Sequence, residues 1–161
     1  MKVGQKFGSG KGGISFDDSS SSWFTSTHYL SGILVSDIYR FAVYEFIYTS
    51  PDDNQTRNES DFHRIYRGRG NSTVRYDLHS DERIDKVAVR CWKSYLLRIT
   101  IIKDIQFFTT HDRTIPPDIQ PRNDSIQYES FPGYTLGYVT GKASTHIHQL
   151  QFVWYRTKTS E

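Results

Sequence analysis

The sequence contains very little sulfur: its 161 residues include one methionine and one cysteine, Cys91. A single cysteine excludes an internal disulfide, so packing and hydrogen bonds alone must hold the domain together. Cys91 continues the alternation of Val87 and Val89 along a β-rich stretch. This spacing predicts a small, buried side chain on the same strand face as the two valines.

Long apolar runs are also absent. No stretch approaches the roughly 20 apolar residues of a membrane-spanning helix, and the N-terminus lacks the apolar segment typical of signal peptides. No window sustains the 3.6-residue apolar period of an amphipathic helix. These absences favour a β-rich domain.

Neither sign of charge is in excess, since 20 Lys and Arg residues face 18 Asp and Glu residues. Nucleic-acid binding requires a concentrated basic face, and here the basic residues are scattered. The chain also lacks a Gly-x-Ser-x-Gly elbow, a phosphate loop and a His-Glu-x-x-His motif. We therefore expect no nucleic-acid partner, no catalysis and no cofactor.

Aromatic residues are abundant, with 10 Phe, 11 Tyr and 3 Trp, and they suit the half-buried surface of a sheet. Polar turns separate short apolar segments, which predicts one all-β domain over residues 1–161, built as a sandwich, barrel or prism. The entirely polar segment 50–61 predicts an exposed loop. The predicted strands cover residues 32–35, 40–49, 73–78, 86–92, 96–110, 125–129, 134–140 and 148–155.

Three short runs share one pattern, in which a turn is followed by Ile or Leu and then by alternating polar and apolar residues. They cover residues 36–41, 81–87 and 144–150. Three approximate copies predict an object with pseudo-threefold symmetry.

Four segments together resemble the jacalin-related lectins, in the order and at the spacing of that family. They are FGSGKGGISFDD at 7–18, DERIDKV at 81–87, DIQFFTT at 104–110 and YVTGKASTHIHQLQFVW at 138–154. The resemblance implies a β-prism of three four-stranded antiparallel sheets around a pseudo-threefold axis. It also implies a non-catalytic, carbohydrate-binding module.

A sugar site needs acceptors for hydroxyl groups, fixed N–H donors and close backbone approach, which a glycine-rich loop permits. The resemblance places His148 where the family has an aspartate, and Ser144 where it has a glycine. A neutral imidazole accepts one hydrogen bond, whereas a carboxylate accepts several, so we expect an altered primary site. The predicted site residues are Gly12, Gly13, Ser144, Thr145, His146 and His148.

Asp85 marks a predicted second carbohydrate site, because the middle run retains an aspartate where the family has its ligand. The first run has Arg40 at that register and is a poor candidate. The alternative for Asp85 is a solvated carboxylate paired with Arg83 or Lys86.

His146 and His148 lie two residues apart and share a face of a strand, so they could bind zinc together. A third ligand would have to come through the fold from His28, His63, His79 or His111. We favour histidines without a metal at this position.

All four asparagines, Asn54, Asn58, Asn71 and Asn123, stand in Asn-x-Ser/Thr sequons. They predict a secreted glycoprotein whose signal peptide has been replaced by Met1, with a cytoplasmic location as the alternative. The expected partners are glycans or glycoproteins, with membrane contact only through glycans and homodimerisation left open.

Two rival hypotheses remain. One is a protein-interaction or membrane-targeting domain that has lost sugar binding, which exposed side chains of Trp23, Phe24 and Trp92 would favour. The other is a structural protein that self-assembles through its sheet edges.

Overall fold

The computed structural model describes residues 1–38, 41–51, 57–59, 73–96, 98–117, 126–144 and 146–157. Twelve strands and one short 3-10 helix, Asp18–Ser20, account for the regular structure there. No helix in these ranges is long and apolar enough to cross a membrane. The all-β prediction is confirmed.

The strands follow one another closely along the chain. They are β1 Lys2–Gly8, β2 Ile14–Asp17, β3 Tyr29–Ile38, β4 Phe41–Thr49, β5 Arg57–Glu59, β6 Thr73–Asp77, β7 Ile84–Ser94, β8 Ile99–Thr109, β9 Thr114–Ile115, β10 Ile126–Glu129, β11 Tyr134–Ala143 and β12 Ile147–Arg156.

The strands form three groups with the same internal order. The neighbours run β5-β4-β3-β6 in one group, β9-β8-β7-β10 in the second and β1-β12-β11-β2 in the third. Each order is a Greek key of four antiparallel strands, and the third is completed by the two ends of the chain. One residue pair, Ile147 and Ile102, joins the second and third groups into an eight-stranded sheet. Hydrogen bonding thus gives three groups but two sheets.

Alternating residues of the strands fill the core. Ile105, Phe107 and Thr109 are buried on β8, and the Phe107 and Phe152 rings meet edge to face at 6.4 Å. Tyr44 connects β4 to β8, because its hydroxyl donates to the Ile105 carbonyl (3.0 Å) and accepts from the Ile105 amide (2.7 Å). The buried phenol is therefore satisfied, as a core tyrosine must be.

Several local details differ from the predictions. Lys103 is an extra residue on β8 between the pairs Arg90–Asp104 and Cys91–Ile102, so the register of β7 and β8 shifts at Cys91, whose side chain is only partly buried. The predicted polar loop at 50–61 contains β5, while residues 52–56 and 60–61 lie outside the described residues.

The sequons stay a prediction. Asn54, Asn71 and Asn123 lie outside the described residues, and Asn58 falls within β5.

Candidate functional site

Residues 8–13, here called the glycine loop, connect β1 to β2. Gly8, Gly10, Gly12 and Gly13 all have a positive φ, between 67° and 90°. This left-handed region is unfavourable for residues with a Cβ atom. The glycine loop therefore has a shape that few other sequences could adopt.

The glycine loop packs directly against the segment 143–148, here called the β11–β12 turn. A Cβ atom on Gly13 would lie 2.9 Å from Cδ2 of His148 and 3.0 Å from the Ala143 amide nitrogen. A Cβ atom on Gly12 would lie 3.4 Å from Cε1 of His148. Gly12 and Gly13 themselves remain exposed to solvent, and on their side of the imidazole they present only backbone.

Two hydrogen bonds hold the glycine loop in place. Lys142 donates from Nζ to the Gly10 carbonyl (3.0 Å), and the Ser9 amide donates to the Thr100 carbonyl (3.0 Å). Because Lys142 belongs to β11 and Thr100 to β8, the glycine loop is fixed to two groups of strands.

His148 is the buried polar group of this site, with 8% of its surface exposed. Its Nε2 lies 2.7 Å from the Ser144 hydroxyl, and its Nδ1 has no hydrogen-bond partner. Burial lowers the pKa of His148, and the charge of His146 lowers it further. The Lys11 backbone near the ring opposes the shift without meeting the geometry of a hydrogen bond. The imidazole is therefore neutral near pH 7 and keeps one unpaired ring nitrogen.

The structure brings together five of the six residues predicted for the first pocket. Besides the two glycines and His148, these are Ser144 and His146, which a hydrogen bond from the Ser144 amide to the His146 carbonyl joins (2.9 Å). Thr145 lies outside the described residues.

Asp85 lies apart from these residues. It is exposed near the start of β7, on the rim of an open cavity of about 370 Å³ that Phe131 and Tyr134 also line. Burial raises the pKa of Asp85, and Asp112 adds to the shift against a backbone hydrogen bond.

The three sequence runs do not occupy equivalent places in the fold. Run 144–150 leads into β12, the second strand of its group, whereas run 81–87 leads into β7, the first strand of its group. The turn of that group that corresponds to the β11–β12 turn lies between β7 and β8. Asp85 therefore has no glycine loop beside it. The sequence run could not reveal this, because a local pattern does not tell which strand of a Greek key follows the run.

Arg83 and Lys86 pack mainly on aromatic rings. The Arg83 guanidinium lies 3.5 Å from the centre of the Tyr29 ring, and Lys86 lies over Phe108 and Tyr128. The Arg83 guanidinium also donates to the Ser80 and Glu82 carbonyls. Against the effect of burial, the charge of Lys86 lowers the pKa of Asp85, so the pairing of Asp85 with Lys86 stays a prediction.

Apolar side chains are exposed in and beside the turn between β7 and β8. Tyr95 and Leu96 in the β7–β8 turn are 86% and 93% exposed, and Trp92 is 45% exposed. An exposed Trp92 is what the partner-binding hypothesis expects. Leu96, predicted to begin the strand 96–110, lies in the turn instead, and no sequence pattern singled out Tyr95. By contrast, the side chains of Trp23 and Phe24 are partly buried and pack against the core.

Within the part of the chain that the structure describes, no third metal ligand groups with His146 and His148. His28 packs against the rings of Trp23 and Phe24, whereas His79 and His111 stack on each other. His63 lies outside the described residues.

Proteins of known structure resemble this chain over nearly its whole length. Solved structures with the same fold include a mannose-specific jacalin-related lectin from Morus nigra (16% identity, 95% of this chain and 93% of that chain, TM-score 0.71). They also include AcmJRL, a mannose binding jacalin related lectin from Ananas comosus (10% identity, 96% and 97%, TM-score 0.73), and frutapin, a lectin from Artocarpus incisa (16% identity, 95% and 95%, TM-score 0.72).

A search of curated protein sequences found no match. The family model for the jacalin-like lectin domain matches residues 4–153. The β-prism architecture and the family resemblance are thereby confirmed: the chain belongs to the jacalin-like lectin domain family.

Proposed function

We propose that this domain is a non-catalytic carbohydrate-binding module whose primary site is formed by the glycine loop and the β11–β12 turn. The observation that carries the proposal is the direct packing of Gly12 and Gly13 on His148. This packing unites, at one exposed edge of a lectin fold, the backbone and side-chain groups that the sequence resemblance assigns to sugar binding.

The chemistry of the proposed site is altered. His148 and Ser144 offer neutral groups, each able to donate or accept a hydrogen bond, where a carboxylate would only accept. Sugar hydroxyls also donate and accept, so they match neutral partners, but a bidentate grip on two hydroxyls is lost. The Morus nigra and Ananas comosus lectins are described as binding mannose. Mannosides are therefore the first ligands to test.

The test is a glycan array followed by titration with methyl mannoside. We expect the wild type to bind, Gly13→Arg to lose binding, and His148→Asp to bind mannoside more tightly because a carboxylate accepts two hydroxyl groups. Gly133→Arg is the matched control, because Gly133 has nearly the same φ (+81°) but nothing within 4 Å of its Cβ position. A wild type that binds no glycan, or a Gly13→Arg variant that binds as well as the wild type, contradicts the proposal.

A protein- or membrane-binding role is the second candidate. The exposed side chains of Trp92, Tyr95 and Leu96 favour it, because clustered exposed apolar groups mark partner surfaces. Vesicles free of glycolipid provide the discriminating test. If the wild type sediments with them and the Tyr95→Ser/Leu96→Ser double variant does not, membrane targeting replaces sugar binding as the proposed function.

A further inference from the structure

Two turns meet beyond the end of β8 that is remote from the glycine loop. One is 78–83, between β6 and β7, and carries His79; the other is 110–113, between β8 and β9, and carries His111. The two imidazoles are exposed and stacked, with ring centres 5.5 Å apart and planes 25° apart. Thr100, which is hydrogen-bonded to the glycine loop, and Thr109 are nine residue steps apart along β8, so the two histidines lie about 30 Å from the glycine loop.

A buried carboxylate fixes the relative position of the two turns. Glu82 is completely buried, and its Oε1 accepts from the His79 amide (3.0 Å) and from Nη2 of Arg113 (2.8 Å). Its Oε2 accepts from the Thr109 hydroxyl (2.6 Å) and from Nε of Arg113 (2.9 Å). These hydrogen bonds hold the backbone of both turns in place. Bringing the two imidazoles to one metal ion therefore costs little further backbone entropy.

The exposed carboxylate of Asp81 lies beside the same pair. Its Oδ1 is 3.3 Å from Nε2 of His111, and 79% of its side-chain surface is exposed. Two ligand atoms on a tetrahedral zinc ion, each about 2.0–2.1 Å from the metal, lie about 3.3 Å apart. The spacing between Asp81 and His111 thus already fits one edge of a zinc coordination shell.

The ligand atoms of His79, Glu82 and His111 lie within 4.8 Å of one another. Because Glu82 already accepts four hydrogen bonds, a metal ion would have to compete for its oxygens. The exposed carboxylate of Asp81 can bind a metal ion from the solvent side without such competition. A site that uses Asp81 in place of Glu82 therefore requires the exposed His79 side chain to turn towards Asp81 and His111.

We propose that His79, His111 and Asp81 bind a borderline divalent cation, with zinc as the best match, and that Glu82 positions the two turns. Two imidazoles and one carboxylate are a suitable ligand set for zinc, with water in the fourth position. The site is independent of the proposed carbohydrate site, because it lies at the other end of β8 and shares no residue with it.

The test is calorimetric titration of the metal-free domain with zinc chloride at pH 7.5. We expect one zinc ion per chain, an affinity lowered by about tenfold or more in His79→Ala, His111→Ala and Asp81→Asn, and release of protons on binding at lower pH. His146→Ala and Asp112→Asn are matched controls and should bind zinc as the wild type does. The thermal melting point of each metal-free variant verifies that it folds.

Absence of zinc binding by the wild type overturns the proposal, and so does binding that survives in the folded His79→Ala/His111→Ala double variant. Loss of binding in His146→Ala transfers the metal to the β11–β12 turn and equally overturns it. Unchanged affinity in Asp81→Asn removes Asp81 from the proposed ligand set.

Discussion

Glu82 and His148 are both buried polar residues next to turns, and they differ in how completely they are paired. Glu82 accepts four hydrogen bonds from Arg113, Thr109 and the His79 backbone. Burial alone would raise its pKa, but these hydrogen bonds outweigh burial and lower the pKa to about 2. His148 has one hydrogen bond and one unpaired ring nitrogen, so the effect of burial prevails. The pKa of His148 is lowered, which favours the neutral imidazole.

The difference separates a structural group from a candidate binding group. A fully paired buried charge fixes its surroundings and has no capacity left for a ligand. A buried nitrogen without a partner is rare in folded proteins, because its desolvation is uncompensated. In this domain the unpaired Nδ1 of His148 lies under the exposed Gly12 and Gly13, where the sugar site is proposed. Unpaired polar groups are expected at binding sites, because functional sites are where a fold departs from complete pairing.

The largest effect is expected on removing the charge of Glu82. Because the folded-state pKa lies below the unfolded value, the ionised carboxylate stabilises the fold above about pH 4.5, and this stability is lost as the pH falls towards 2. We expect Glu82→Gln to lower the free energy of unfolding at pH 7 by about 2 kcal/mol, a value reduced for the partial exposure of Arg113.

Urea denaturation of the wild type and Glu82→Gln between pH 2 and 7 measures this effect. The difference between the two proteins should shrink as the pH falls. Asp81→Asn is the control, because Asp81 is exposed and should cost less than about 0.5 kcal/mol. A difference that stays constant with pH would show that Glu82 contributes packing but not charge.

The sequence predicts the sheet content well, while the assignment of the first pocket to sugar binding stays a prediction. Alternating apolar residues mark parts of β8 and β12, from Ile105 to Thr109 and from Leu150 to Trp154. The segments 7–18 and 138–154 indicate two regions that meet. Neither the position of Asp85 nor the Glu82 network was predicted. Glu82 contacts Thr109 and Arg113 across 27 and 31 residues, and no local pattern reports contacts formed by the order of strands in a Greek key. The register shift at Lys103 is likewise a property of two paired strands, β7 and β8.

The glycine loop can be compared with a second left-handed glycine in the same chain. Gly13 and Gly133 have φ values of +80° and +81°, but a Cβ atom meets His148 and Ala143 at Gly13 and nothing at Gly133. Alanine at either position carries the left-handed penalty of about 1–2 kcal/mol. Only Gly13→Ala adds a steric cost, so we expect it to be less stable than Gly133→Ala by about 1 kcal/mol or more.

Thermal and urea unfolding of the two alanine variants give this difference directly. Combining Gly13→Ala with His148→Ala removes the ring that the new methyl group meets, so the excess cost should fall. Equal stability of Gly13→Ala and Gly133→Ala would mean that the glycine loop moves away from the β11–β12 turn at no cost, which also weakens the case for a preformed site.

The smallest effect concerns the protonation of His148. Its pKa is lowered in the folded state, so below the ordinary value near 6.5 the unfolded chain binds the proton more readily. The stability contributed by the neutral imidazole is therefore present above pH 6.5 and decreases as the pH falls through the folded-state pKa. An NMR titration should find His148 below the ordinary histidine value, and His146→Gln should raise its pKa by removing the neighbouring charge. Titration of His148 at or above the ordinary value would mean that Nδ1 does have a partner, and the contrast with Glu82 would no longer hold.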